Sequence, residues 1–160
     1  MMFASPRRQN IEHITDINAP IQDVWDALVD LKSWEEWNRW TTLEASEART
    51  GVQGKLHACY NGDGKDLRTF DFAFSEVDPN KSKIVWSGRV AGGFLFKGEH
   101  SINLQFVNNS TTKLVHKESF GGLLPALGLG LPYKTLDRNY LLMNKAMKKY
   151  VETKQAVCKQ

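Results

Sequence analysis

The stretch "GEHSINLQFVNNSTTKLVHKESFGG", residues 98–122, reads as two strands joined by a short polar turn. Alternation lines up Phe94, Phe96, Ile102, Leu104, Phe106, Leu114 and Phe120 on one side of this hairpin. The same alternation places His100, His116 and Glu118 on that side. Burying ionisable groups costs several kcal/mol each unless they are paired or wetted, so the pattern demands either tight internal pairing or a cavity with something in it. A three-residue loop of Asn108, Asn109 and Ser110 sets Phe106 opposite Thr112, Leu104 opposite Leu114, Ile102 opposite His116 and His100 opposite Glu118. Opposed Cβ atoms lie roughly 5 Å apart, within reach of an imidazole–carboxylate hydrogen bond, and His116 sits roughly 7 Å along the same face. A turn shifted by one residue would leave Glu118 facing Ile102. The tolerance of asparagine for the left-handed conformation favours the first register.

Outward from the hairpin, the chain keeps a strand period. "GKLHACYN", "LRTFDFAFSEV", "KIVWSGRV" and "FLFKGEHSINLQFV" alternate or are rich in aromatic and β-branched residues. Turn chemistry separates them, at Asn61-Gly62-Asp63-Gly64, Asp78-Pro79-Asn80, Gly92-Gly93 and Asn108-Asn109-Ser110. Short links between successive strands predict an antiparallel meander, to which residues 42–48 add a weaker strand. Before it, "IEHITDINA" predicts a first strand. In "NAPIQDVWDALVDLKSWEEWN" the residues Ile21, Val24, Trp25, Leu28 and Leu31 fall at helical spacing, with Pro20 in the first turn and Asn18 as a nearby cap. Ser33 is positioned to cap a second short helix carrying Trp34 and Trp37. After the hairpin, "GGLLPALGLGLP" is apolar but broken by glycine and proline, which predicts an irregular loop able to gate an apolar opening. From Pro132 a long helix carries Leu136, Tyr140, Met143 and Met147 on one stripe.

The chain has 160 residues, 41% hydrophobic and 24% charged, which suits one domain with a single core. The expected limits are an N-terminal extension over residues 1–10, the domain over 11–153 and a fraying tail over 154–160. No run approaches the roughly 20 apolar residues of a membrane span, and the opening "MMFASPRRQN" lacks a secretory signal core, so the expected compartment is the cytoplasm. Cys59 and Cys158 have no metal-site spacing and supply no disulfide framework. The net charge of +3 comes from 21 basic residues interspersed with 18 acidic ones, which gives no support for nucleic-acid binding. Nucleophile, phosphate-loop and dinucleotide motifs are absent from the sequence.

The order strand, helix, helix, six strands, long helix is an α+β arrangement whose curved antiparallel sheet wraps a C-terminal helix. On "NAPIQDVWDALVDLKSWEEWN", "GEHSINLQF", "HKESFGGLL" and "MNKAMKKYVE" the chain resembles the START-like, or SRPBCC, superfamily with the helix-grip fold, in particular its polyketide cyclase/dehydrase-like branch. The resemblance spans roughly residues 11–152. It implies an elongated pocket between sheet and long helix that takes a small apolar molecule, with no cofactor.

The residues expected to bind such a ligand are Trp37, Tyr60, Phe72, Trp86, Phe96, His100, Ile102, His116, Glu118, Phe120, Leu136, Tyr140 and Met143. A carboxylate that orients an imidazole is what proton transfer beside a carbonyl requires, so His100 and Glu118 are the catalytic candidates. The same pair can equally be a satisfied structural contact of the sheet. A metal site built from His100, His116 and Glu118 has suitable ligand types but a poor facial spacing, and none is expected. Three functions stay open: carriage of a small apolar or aromatic molecule, cofactor-independent cyclisation or dehydration of a polyketide-like substrate, and a protein-interaction module presenting "LLPALGLGLP".

Overall fold

Each strand anticipated between residues 41 and 121 forms, and each lies antiparallel to its neighbour. The computed structural model describes residues 10–90, 96–126 and 132–158. Phe94 and residues 127–131 of the apolar loop before Pro132 lie outside these residues. The strands are β1 (Asn10–Ile17), β2 (Thr41–Glu44), β3 (Gln53–Cys59), β4 (Leu67–Asp78), β5 (Lys83–Val90), β6 (Phe96–Asn108) and β7 (Thr111–Gly121). They form one seven-stranded sheet in the order β1-β7-β6-β5-β4-β3-β2. Twist between strands, increased by bulges in β4 and β6, curls the sheet into a half-barrel. Between β1 and β2 lie α1 (Ile21–Val29), a single 3₁₀ turn (Leu31–Ser33) and α2 (Trp34–Trp37). After β7 come the short α3 (Leu123–Ala126) and the long α4 (Tyr133–Cys158), which the sheet grips.

The β6–β7 register is the one alternation demands: His100 faces Glu118, Ile102 faces His116 and Leu104 faces Leu114. The turn reaches it by another route. Asn108 pairs with Thr111 across a two-residue turn, and a bulge between Phe106 and Asn108 takes up the remaining residue. Asn108 Oδ1 accepts hydrogen bonds from the Ser110 amide and hydroxyl, and Ser82 is the non-glycine residue with positive φ among the described residues. The expected left-handed asparagine is therefore replaced by side-chain bonding and a bulge. Phe106, expected to face inward, is 63% exposed, because the hairpin tip projects beyond the packed layer.

Helix termini also differ from expectation. Pro20 is the residue before α1 rather than inside its first turn, and the Asn18 amide donates to Glu152 Oε1 on α4 at 2.7 Å. Ser33 precedes α2, yet its hydroxyl bonds backward to Asp30 O at 2.8 Å. Residues 154–158 of the segment expected to fray are helical, since α4 runs through Cys158.

The long helix buries Leu136, Asn139, Tyr140, Met143, Asn144, Met147 and Val151, a stripe of three- and four-residue spacing. Polar ties hold it along β1: His13 Nε2 to Asp137 Oδ1 at 2.9 Å, and Lys148 Nζ to Asp16 O at 2.6 Å. The interior divides along that helix. Toward its C-terminal half, Met143, Met147 and Val151 pack with α1, α2, Trp86, Ile102, Leu104 and Leu114 into a solid core. Toward its N-terminal half, Leu136 and Tyr140 join Ile11 and Phe120 in a separate cluster, edged by Tyr60, Phe96 and Tyr133.

Candidate functional site

A cavity of about 200 Å³ opens at the second of these clusters. Its position follows from strand direction. The start of β6 supplies Phe96, Gly98 and His100, the end of β7 supplies Glu118 and Phe120, and the first turns of α4 supply Leu136, Asn139 and Tyr140. Phe70, Tyr60 and Arg68 complete the far wall from β4 and the β3–β4 connection. The lining is mainly apolar and aromatic, with a few polar groups converging, which is the usual composition of a small-molecule site.

The polar groups centre on one imidazole–carboxylate contact. His100 Nε2 lies 2.7 Å from Glu118 Oε1, with the two side chains 8% and 4% exposed. With the carboxylate ionised, Nε2–H donates to Oε1 and Nδ1 is left open. The imidazole is clamped on both sides. Trp86, its β5 partner, stacks on it at 4.9 Å and 4°, and Tyr140 meets it edge-on at 5.0 Å. The Tyr140 hydroxyl is 3.4 Å from the same Nε2. Burial, and then the negative charge of Glu118, hold the Tyr140 phenol well above its ordinary value, and the same two causes raise Tyr133. Burial also raises Tyr60, opposed by the nearby Arg68 cation and assisted by Glu118. All three tyrosines are thus protonated donors at neutral pH.

Two polar atoms of this pair have no partner: His100 Nδ1 and Glu118 Oε2 are buried without a hydrogen bond. His116 is differently placed. It donates Nδ1–H to Asn144 Oδ1 at 3.0 Å, and the Asn144 amide nitrogen donates on to Thr15 Oγ1 at 3.3 Å. Burial first, and the neighbouring His100 second, press its pKa from 6.5 to about 3. It is a neutral ring behind the cavity wall.

Two glycines open the floor. Gly88 and Gly98 face each other across β5 and β6, and both line the cavity. A Cβ on Gly98 would sit 2.9 Å from Glu118 Oε1 and 3.2 Å from the Phe96 ring, whereas one on Gly88 meets only Asp71 O at 3.8 Å. Gly98→Ala is therefore expected to push the carboxylate off His100 and to lower unfolding stability by about 1–3 kcal/mol. Urea denaturation measures the loss, and an unchanged midpoint would show that the carboxylate has room to spare.

Of the residues expected at the site, Tyr60, Phe96, His100, Glu118, Phe120, Leu136 and Tyr140 line the cavity. Trp37, Phe72, Trp86, Ile102 and Met143 pack in the solid core, and His116 is buried behind Tyr140. Arg68, Asn139, Gly88 and Gly98 line the cavity without having been singled out, and Leu124 lines it from the loop expected to gate an apolar opening. For the two glycines the signal was present, since glycine inside a strand pattern marks a close approach. Asn139 was visible as a polar residue next to the apolar stripe. Among the described residues no three His, Cys, Asp or Glu side chains converge as a metal-ligand set, and no helix there is long and apolar enough to cross a membrane.

Solved structures share this architecture. The Zhui aromatase/cyclase from Streptomyces sp. R1128 superposes with a TM-score of 0.71 at 19% identity, covering 91% of this chain and 94% of that one. A START superfamily protein from Mycobacterium smegmatis gives 0.69 at 17% identity over 90% and 97% of the two chains. A point mutant of norcoclaurine synthase from Thalictrum flavum, in complex with a transition-state analogue, gives 0.70 at 13% identity over 96% and 99%. At such identities the likeness is one of fold. No curated protein matches the sequence. The profile described as polyketide cyclase / dehydrase and lipid transport, by contrast, matches residues 8–154. That match takes in the first strand, the gripping sheet and nearly all of the long helix, and the chain belongs to this family.

Proposed function

We propose that the protein binds a small, planar apolar or aromatic molecule in the cavity between sheet and α4, with a hydrogen-bond donor of the ligand directed at Glu118. The observation that carries this is Glu118, a residue that lines a mainly apolar cavity and whose buried Oε2 has no hydrogen-bond partner. Leaving such an atom without a partner costs several kcal/mol, and a ligand hydroxyl would recover it. The lack of a disulfide framework fits a cytoplasmic carrier. Extraction of the purified protein followed by mass spectrometry, together with calorimetric titration of 2-naphthol, tests the proposal. Saturable binding at one site is the expected result. A protein that carries nothing and leaves 2-naphthol unbound would refute it.

A second reading rests on the 2.7 Å His100–Glu118 contact. An imidazole held by a carboxylate can remove a proton next to a substrate carbonyl through Nδ1 and return it to a β-hydroxyl, which leaves as water. The family description, polyketide cyclase / dehydrase and lipid transport, supports cyclisation with dehydration as the reaction class. His100→Ala and Glu118→Gln should each then reduce turnover of the extracted compound at least about a hundredfold. Unchanged turnover in both variants would leave carriage alone.

A further inference from the structure

The cavity has a cation at its far side that the binding proposal does not use. Arg68 opens β4, its side chain is exposed, and its guanidinium lies 4.9 Å from the centre of the Tyr60 ring. It lines the same cavity as Glu118 and pairs with no carboxylate among the described residues. Tyr60 feels both charges: Arg68 lowers its pKa and Glu118 raises it. In the sheet order, β4 stands three strands from β7, roughly 14 Å at about 4.8 Å per strand before curvature and side-chain reach shorten it.

Size narrows the occupant. The cavity of about 200 Å³ is somewhat larger than the roughly 150 Å³ that holds benzene, which is room for one or two rings. Gly88 and Gly98 leave the floor free of side chains, and Phe70, Phe96 and Phe120 line the walls. We infer that the ligand is a two-ring aromatic hydroxy acid, with its hydroxyl on Glu118 Oε2 and its carboxylate on the Arg68 guanidinium. The inference rests on the binding proposal and adds the anionic end. An unpaired guanidinium stacked on an aromatic ring has its donor fork free for bidentate recognition of a carboxylate.

The test uses 6-hydroxy-2-naphthoate and its methyl ester, two molecules that share rings and hydroxyl and differ in charge. Both are titrated calorimetrically into the wild-type chain and into Arg68→Gln, whose folding is checked by thermal melting. The acid is expected to bind wild type about tenfold more tightly than the ester. Arg68→Gln should remove that tenfold advantage and leave the ester unchanged. Equal loss for both probes, or no loss for either, overturns the inference while leaving the cavity as a binding site. Failure of both probes to bind wild type overturns the inference and the binding proposal together.

Discussion

Glu118→Ala is expected to lower the unfolding free energy by about 3 kcal/mol at neutral pH. The variant leaves His100 Nε2, 2.7 Å from Glu118 in the native protein, as a buried donor with nothing to accept its proton. Breaking a buried pair from one side typically costs about 3–5 kcal/mol, and loss of the orphaned Oε2 returns part of that. The double variant His100→Leu/Glu118→Leu should be less costly than either single alanine, because apolar side chains of similar volume remove both desolvation penalties at once. Urea denaturation of the three variants measures this. Costs that simply add would mean that the two side chains do not depend on one another.

Acid is expected to destabilise the protein through His116. Its folded-state pKa is depressed from 6.5 to about 3, so between those values the unfolded chain binds a proton that the native protein refuses. The sign follows: the contribution of His116 is complete above pH 6.5 and is lost progressively as pH falls toward 3. At pH 4.5 the loss amounts to about 3 kcal/mol, two pH units at about 1.4 kcal/mol each. His116→Asn keeps a donor for Asn144 and removes the titrating group. Its stability should accordingly fall by about 3 kcal/mol less than wild type between pH 7.5 and 4.5. Identical pH profiles would mean that His116 is solvated or already charged in the folded state.

Alternation was enough to read the sheet, the β6–β7 register and the His100–Glu118 contact, because a half-buried strand has only two faces and register follows from loop length. The same signal misses position along the strand. His100 and Ile102 lie on one face of β6, but His100 borders the cavity while Ile102 packs under Trp86 and Met143 in the solid core. Tyr140 and Met143 divide in the same way on one stripe of α4. Which half of the sheet is filled depends on where α1 and α2 dock, a long-range packing outcome without a local pattern. For this reason Trp37, Phe72, Trp86, Ile102 and Met143 were expected at the site and instead form the core beside it. Arg68 carries no signal in the sequence, because an arginine near the exposed start of a strand looks like any solvated charge. It becomes informative only once the sheet curls it toward Tyr60 and Glu118. Turn details were missed for a different reason: a bulge and a two-residue turn give the same register as a three-residue loop, so alternation alone does not distinguish them.

The claim that this cavity is the binding site is tested most directly by filling it. Gly88 lines the cavity, lies in regular strand pairing with Gly98, and a Cβ there meets only Asp71 O at 3.8 Å. Gly88→Leu should therefore place its side chain in the empty space while leaving the fold intact. Calorimetric titration of 2-naphthol into this variant and into wild type decides the matter: the account predicts a thermal midpoint at least as high as that of wild type with binding weakened about thirtyfold or more, and an affinity equal to wild type in a folded Gly88→Leu protein would contradict it.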